Sequence, residues 1–363
     1  MFSKKTPEVS ICIPVCGTEN VLFSCLESIA LNFNENTSFS AEIVIVDDSG
    51  NSQKTDKFAS KDFQSVRKII KTFKKEHKKQ KIGIKLIEHE KNKGIIEARR
   101  TAVYAAEGDY IIFVDSDDSL PSDAIKTLFD TAKETSADIV QGKANICVKG
   151  RCGEFSPQMG VSAQQSAPQG EGFPPQIKKR AEETDEKANH FFAGELFYRQ
   201  IFDEFLLKKN IPGYLWGKIF TRKLCICAFE NIPIVFCSFG EDLLLFFFLS
   251  FFAQKYVGIE KISYNYNIDT GISSFRTIAS LEEWKKICST ASVFTILLSW
   301  IEENKDKLTT EEVETVKKST RWYAANNLAQ LKKTVAPELQ KDALKMLCDF
   351  WGEDMINSPK FEF

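Results

Sequence analysis

The stretch YIIFVDSDDS, residues 110–119, runs from apolar residues into three carboxylates, Asp115, Asp117 and Asp118, interrupted only by Ser116. In extended backbone, side chains at i and i+2 share a face, so Asp115 and Asp117 can converge on one point while Ser116 looks away. Carboxylates that close repel one another unless a cation or hydrogen bonds neutralise them. A hard divalent ion suits them: Mg2+ or Mn2+ typically takes one or two carboxylates together with substrate phosphate oxygens. The plain alternative is an acidic turn in which Asp118 and Ser119 cap a helix that follows Pro121.

Two further places could carry chemistry. Asp47 and Asp48 close the run IVIVDD ahead of Ser-Gly-Asn-Ser, which must turn the chain; an ordinary Asx turn is the competing explanation. In NKGIIEARRTA (92–102), Gly94 opens a helix and Arg99 lies just over one turn later. A helix start and a guanidinium both favour phosphate, although a surface arginine is the commoner explanation for any single case.

These groups need a scaffold, and the first 150 residues alternate short β-branched runs with helical stretches. Strands are expected at 9–15, 41–48, 84–89, 109–115 and 137–142. Helices are expected near 19–32, 53–80, 94–106 and after Pro121. Such alternation predicts a doubly wound parallel sheet, and near-continuous apolar runs fit strands covered on both faces. Ligands then sit beyond the carboxyl ends of the strands, where the acidic clusters fall. From 151 to 188 the composition shifts to Pro, Gly, Gln and Ser and then to charge, which reads as a flexible loop or linker. Phe191, Phe192, Ile201 and Phe205 mark an amphipathic helix. From 280 to 363 steps of three and four dominate: Trp284, Ile287, Cys288, Ala291, Phe294, Leu298 and Ile301, then Val313, Val316, Thr320 and Tyr323, then Leu339, Ala343, Met346, Leu347 and Phe350. A bundle of three helices is expected there.

Composition excludes several classes. The 363 residues are 43% hydrophobic and 27% charged, with a net charge of −2, so no global field draws the chain to nucleic acid or anionic lipid. Three scattered histidines (His77, His89, His190) argue against a His-built zinc site. Ten cysteines without a CxxC pair are too dilute for a disulfide scaffold and read as reduced cytoplasmic thiols. The N-terminus lacks the pattern of a signal peptide. The apolar run 243–253 is well short of the roughly 20 residues of a membrane span and reads as a buried helix. Residues 54–85 carry twelve Lys or Arg against three acids, but Val66, Ile69, Ile70 and Phe73 keep a helical stripe, so the lysines read as the wet face of an amphipathic helix.

Taken together, residues 9 to about 145 resemble the nucleotide-sugar domain of family 2 glycosyltransferases with the GT-A fold. The carriers are ICIPV followed by ENVLFSCLESI, then IVIVDDSG, then NKGIIEARRTAVYAAEGDYIIFVDSDD. Four motifs in order are far more specific than any one. The resemblance implies an α/β architecture, a Rossmann-like, mostly parallel sheet flanked by helices, with a C-terminal helical region. Residues 1–150 would bind the nucleotide sugar and 189–279 would form the acceptor side of the catalytic domain. The resemblance implies that Pro14 and Val15 line the nucleotide pocket with Glu19, Asn92, Gly94 and Ser116, and that Asp48 accepts a hydrogen bond from uracil. Arg99 would sit beside base and diphosphate, Asp115 would touch ribose or metal, and Asp117 would ligate Mg2+ or Mn2+ directly. The chain departs from the family pattern at Cys16-Gly17, where an aromatic-Asn pair is usual, at Ser49-Gly50, which inverts the common order, and in the Lys-rich insertion before the third strand.

FGEDLLLFFFLS (239–250) resembles the family's Glu-Asp element, which makes Asp242 the candidate base, with Glu241 beside it on the acceptor or phosphate side. An attacking hydroxyl must lose its proton, and a carboxylate within hydrogen-bond reach can take it; Gly-Glu-Asp is equally a good helix start. LWGKIFTR resembles the segment between metal and acceptor sites, giving Trp216 a role at the sugar or acceptor and Lys218 one at the phosphates, with a plain core position as the alternative for Trp216. YNYNIDTGISS (264–274) matches the family's Tyr-x-Tyr strand and the flexible loop that closes over the diphosphate.

The function so implied is inverting, metal-dependent transfer of a sugar from a UDP-sugar to a hydroxyl of a carbohydrate or glycolipid acceptor. The family-level setting is bacterial surface polysaccharide or glycolipid synthesis, in the cytoplasm or peripheral to the inner membrane face. A non-catalytic nucleotide-sugar-binding or scaffold protein is the alternative, and it has no need of Asp48, Arg99, Asp115, Asp117 and Asp242 together. Nucleic acid is not expected as a partner, because no aromatics interleave the lysines of 54–85. The C-terminal bundle could dock at a membrane or form a homodimer.

Overall fold

A computed structural model describes residues 6–34, 37–50, 65–78, 80, 82–148, 151–152, 175–268 and 277–357. Strand β1 (Val9–Val15), helix α1 (Glu19–Ala30), β2 (Ala41–Asp47), α2 (Val66–Glu76), β3 (Gly83–Glu88), α3 (Ile95–Ala105), β4 (Tyr110–Phe113), α4 (Ala124–Thr135) and β5 (Ile139–Val148) follow the expected alternation. The short β6 (Arg151–Cys152), α5 (Pro175–Asn189), β7 (Gly194–Phe197), α6 (Arg199–Leu206), β8 (Lys218–Thr221), α7 (Arg222–Glu230), α8 (Glu241–Phe252) and β9 (Lys255–Asn267) complete the body. The nine-stranded sheet has the order β3-β2-β1-β4-β8-β5-β9-β7, with β6 paired to β5. The parallel pairings of β1 with β2 and β4, β2 with β3, and β5 with β9, together with antiparallel β8 between β4 and β5, give six strands one direction. The expected mostly parallel α/β sheet flanked by helices is thus the architecture found.

Alternation along each strand explains the two-sided covering. In β1, Cys12 joins a core with Val44, Val46, Ile96 of α3 and Leu244 of α8. Its neighbours Ile11 and Ile13 enter the opposite core with Leu22 of α1, Ile69 of α2 and Ile125 of α4. Both faces are sealed, so the strand carries no polar stripe. The run 243–253 lies in α8, where Leu244, Phe246, Phe247 and Phe248 are fully buried.

Several expectations are corrected. The expected linker 151–188 instead gives over its last part, from Pro175, to α5, whose Ala181 and Ala188 are buried against β5, small side chains that let a charged helix lie close to the sheet; residues 153–174 of that segment lie outside the described residues. The helix expected from Phe191 begins only at Arg199, because residues 194–197 pair with β9 as an edge strand. The reading of all ten cysteines as thiols fails for Cys147 and Cys152, which the β5–β6 hairpin sets directly opposite and which form a disulfide.

The expected three-helix bundle contains more pieces: α9 (Leu281–Cys288), α10 (Thr290–Glu303), α11 (Thr310–Thr334), α12 (Gln340–Trp351) and α13 (Glu353–Ile356). The periodic stretch 284–301 breaks at Ser289, whose hydroxyl donates to Lys286 O and accepts from Ser238 N. A side chain that competes for backbone groups interrupts a pattern that periodicity alone reads as continuous. A third core around Trp284, Ala324 and Leu347 holds α9, α11 and α12 together, while Val293, Phe294 and Leu297 of α10 pack into the main body with α8. Thr309 and Glu312 form a capping box at the start of α11, and Glu312 also pairs with Arg199 of α6. The helical region is fused to the sheet body.

Candidate active site

Beyond the carboxyl ends of β1, β2 and β4 opens a cavity of about 650 Å3. Its wall includes Pro14 and Val15 from the end of β1, Asp48 after β2, Asn92 and Gly94 before α3, Asp115, Ser116 and Asp117 after β4, and Glu241 and Asp242 from the first turn of α8. Gly94 sits at φ 88°, and a Cβ there would lie 2.8 Å from the carbonyl oxygen of Cys237. Only glycine lets α3 start this close to the segment leading into α8.

The acidic tip of β4 divides its labour. Asp118 is buried and accepts from the Asn267 backbone N–H at 2.7 Å and the Tyr264 hydroxyl at 2.8 Å. Tyr264 in turn accepts from the Asp115 N–H at 3.1 Å, so β9 braces the turn. Burial, and then the nearby Asp115 and Asp117, push the Asp118 carboxyl well above its usual range, against the lowering effect of its two donors. Asp118 therefore closes the turn onto β9 and does not cap α4. Ser116 and Thr18 share a hydrogen bond of 2.5 Å.

Arg99 departs from expectation. It is 1% exposed and absent from the cavity wall, because its guanidinium is spent on carboxylates: Nη1 donates to Glu241 at 3.0 Å and Asp242 at 2.5 Å, and Nη2 to Asp115 at 2.9 Å. Burial works against its charge, but Asp242, Asp115 and Glu241 outweigh it and raise its pKa further. A guanidinium so committed orients the carboxylates of β4 and α8 toward one another instead of facing a diphosphate. The Asp242 carboxyl is pushed up to about 7, first by burial and then by Glu241 and Asp115, with Arg99 opposing.

Asp48 lines the cavity but its carboxylate is heavily engaged. Oδ1 bonds His89 Nδ1 at 2.6 Å and the Lys93 N–H at 2.9 Å, and Oδ2 accepts from the Gly94 N–H at 2.9 Å. Asp47 makes the Asx-type contact, accepting from the Ser49 N–H at 3.0 Å. Glu19 is buried beside the pocket without lining it, accepting from the Ser49 hydroxyl at 2.9 Å and the Gly17 N–H.

Two residues expected on the acceptor side, Lys218 and Trp216, lie in the core and not in the cavity wall, the position already named as the alternative for Trp216. Lys218 is fully buried, with Nζ donating to Tyr214 O at 2.6 Å and Pro212 O at 3.2 Å and lying 3.8 Å from the Tyr214 ring centroid. Burial pulls its pKa well down, and it is not among the residues that line the cavity. Trp216, 7% exposed, is sandwiched in a ring stack with Tyr214 at 3.6 Å and with Tyr264 and Tyr266 at 5.1 and 5.0 Å. Tyr214 and Tyr266, supported by that indole, reach the cavity in its place. Of the strand and loop expected at 264–274, the part from 269 to 274 that would close over the site lies outside the described residues.

Sequence reasoning missed His89, whose position directly after β3 was the available signal, and it missed the far wall entirely. Lys286 of α9 and Trp322, Tyr323 and Asn326 of α11 line the same cavity. Nothing near them in sequence marks them out; they arrive because the helical region is folded onto the body.

The donor set fits Mg2+ or Mn2+. Two carboxylates of the wall, Asp115 and Asp117, offer hard oxygen, and the charge crowding that raises Asp118 is what a cation would relieve. Among the described residues no group of three or more His, Cys, Asp or Glu gathers as a cage. Few protein ligands with substrate oxygens completing the shell is the usual arrangement for these ions at phosphates.

Comparison with known proteins gives a match over residues 10–205 to the family described as Glycosyl transferase family 2. A poly(ribitol-phosphate) beta-glucosyltransferase of Bacillus spizizenii is 31% identical over 38% of this chain and 19% of its own length. Glycosyltransferase GlyA of Streptococcus pneumoniae is 25% identical over 73% of this chain and 31% of its own length. The putative glycosyltransferase EpsH of Bacillus subtilis is 25% identical over 73% of this chain and 62% of its own. This chain therefore spans less than two thirds of each of these relatives. The crystal structure of S. aureus TarS 1-349 with UDP-GlcNAc matches at a TM-score of 0.49 and 17% identity, covering 97% of this chain and 91% of that one. Among the described residues no helix is long and apolar enough to cross a membrane. With more than half of its length matched, and with the sheet-end cavity described above, the chain belongs to glycosyl transferase family 2.

Proposed function

We propose that this protein is an inverting, metal-dependent glycosyltransferase that moves a sugar from a UDP-sugar to a hydroxyl of a carbohydrate or glycolipid acceptor in bacterial surface polysaccharide synthesis. The observation that carries the reading is the Arg99 bridge, which brings Asp115 at the β4 tip and Asp242 at the start of α8 into one cavity wall. A metal-side carboxylate and a candidate base held next to each other in one pocket wall suit a single displacement at an anomeric carbon. The names of the relatives, glucosyltransferase of poly(ribitol phosphate) among them, support the class of reaction and acceptor.

In this reading Asp242 accepts the proton of the acceptor hydroxyl as its oxygen bonds the anomeric carbon and the bond to the diphosphate breaks, the electron pair leaving with UDP. A pKa near 7 suits a base working at neutral pH. Arg99 holds the Asp242 and Asp115 carboxylates in place. Asp115 and Asp117 would hold the divalent ion, which when bound neutralises charge on the leaving diphosphate. Pro14, Val15, Asp48, Asn92 and Gly94 frame the nucleoside end, and Tyr214 and Tyr266 wall the sugar side. Incubation with UDP-sugars, Mn2+ and a sugar acceptor tests the reading: UDP release that needs both metal and acceptor supports it, and no turnover across a panel of donors and acceptors overturns it.

A further inference from the structure

Among the described residues that line the cavity, Asp48, Asp115, Asp117, Asp118, Glu241 and Asp242 are acidic and Lys286 is the one lysine or arginine. The two cations expected to meet phosphate are engaged elsewhere, Arg99 on three carboxylates and Lys218 on two backbone carbonyls. Among the described residues, this excess of negative charge leaves an anionic substrate Lys286 and a bound metal ion as its positive partners.

Lys286 itself is half-buried in the last turn of α9. Among the described residues its side chain has no ion pair and no hydrogen bond. Elsewhere the protein pairs its partly buried lysines, as with Lys85 and Glu107 or Lys255 and Glu195. A half-buried ammonium without a carboxylate, in a wall crowded with carboxylates, has given up part of its hydration for no internal partner. Its place is held from both sides: Ser289 bonds the Lys286 carbonyl and the Ser238 N–H, fixing the end of α9 over the segment that leads to Asp242. It also stands near Cys16 on the nucleoside side, where its charge lowers the thiol pKa against the burial that raises it.

We propose that Lys286, delivered by the C-terminal helical region, binds a phosphate oxyanion of the substrate, either in the nucleotide diphosphate or in a phosphate-bearing acceptor. The helical region then completes the site, and the sheet domain alone would bind its anionic substrate poorly. This deepens the nucleotide-sugar reading and rests on it, while the pyrophosphate arm below reads Lys286 independently of any nucleoside.

The test compares the intact protein with Lys286→Gln and Lys286→Arg by calorimetry with Mn2+, using uridine, UDP and pyrophosphate, and by turnover with poly(ribitol phosphate) and with a neutral oligosaccharide as acceptors. Loss of one charge-assisted hydrogen bond corresponds to about 10- to 100-fold in affinity. If the anion is the donor's, Lys286→Gln weakens UDP and pyrophosphate by that factor, leaves uridine unchanged, and Lys286→Arg recovers much of the loss. If it is the acceptor's, UDP binding holds and KM rises for the phosphate-bearing acceptor alone. Unchanged binding and unchanged KM for both acceptors in a folded Lys286→Gln protein overturns the inference. Wild-type protein that binds pyrophosphate through Lys286 but no UDP would instead refute the UDP-sugar reading and leave this one standing.

Discussion

Arg99 donates to Asp242 across 2.5 Å from the fully buried side of the cavity wall, joining the middle of α3 to the first turn of α8. The same guanidinium binds Asp115 and Glu241, so one cation serves three acids. Arg99→Met should cost about 3–5 kcal/mol, because buried charges are left unpaired. Arg99→Lys keeps the charge but loses the fork and should cost less. Urea denaturation measures both.

The pH dependence of turnover follows from Asp242. Its carboxyl must be ionised to accept a proton, and its pKa is raised to about 7. The ratio kcat/KM should therefore rise with pH and level off above neutrality. Asp242→Asn should lower kcat by about 10²- to 10⁴-fold, the usual contribution of a general base, while UDP binding persists.

Stability should show the opposite trend. Asp118 and Asp242 are carboxyls whose folded-state pKa is raised. Above the ordinary carboxyl range the native state still holds protons that the unfolded chain has released, so stability falls as pH rises toward the raised values. For Asp242 that window runs from 3.8 to about 7. Asp118→Asn keeps an oxygen to accept from the Asn267 N–H and removes one titration. Its melting temperature relative to wild type should therefore improve steadily as pH rises above the ordinary carboxyl range. A difference that stays constant there would contradict the assignment.

Lys218 and Trp216 should behave as structural residues. Lys218→Met strips the donor from Tyr214 O and Pro212 O and should cost about 1–3 kcal/mol for each carbonyl left unsatisfied. Trp216→Ala empties the centre of a ring stack and should cost about 3–5 kcal/mol. A rise in donor KM from Lys218→Met without loss of stability would restore Lys218 to the phosphate site.

The legible parts of the fold were those set by local pattern. Two-sided apolar runs located β1, β2 and β4, and the acidic run after β4 does face a cavity, although a turn closed by Asp118 N–H on Asp115 O at 3.0 Å carries it instead of extended backbone, so Ser116 lines the cavity with Asp115 and Asp117 instead of looking away. Contacts made over long sequence distances were hidden. Arg99 meets Glu241 and Asp242 from 142 and 143 residues away, and a lone arginine in a helical stretch carries no sign of which anion it will find. Strand β8, of four residues, inserts between β4 and β5 in antiparallel sense, outside the parallel alternation that local pattern predicts. The break at Ser289 turns on a hydroxyl that binds a loop 51 residues earlier, and hydrophobic period is blind to it. Lys286 and Trp322 reach the cavity only through that folding-back.

The most direct test of the central claim, that the acidic tip of β4 binds a divalent cation together with a diphosphate, is calorimetric titration of UDP in Mn2+ and in EDTA, for wild type and Asp117→Asn. The account predicts binding that depends on Mn2+ and is lost in the variant. Equal affinity in EDTA, or binding that survives Asp117→Asn undiminished, would contradict it.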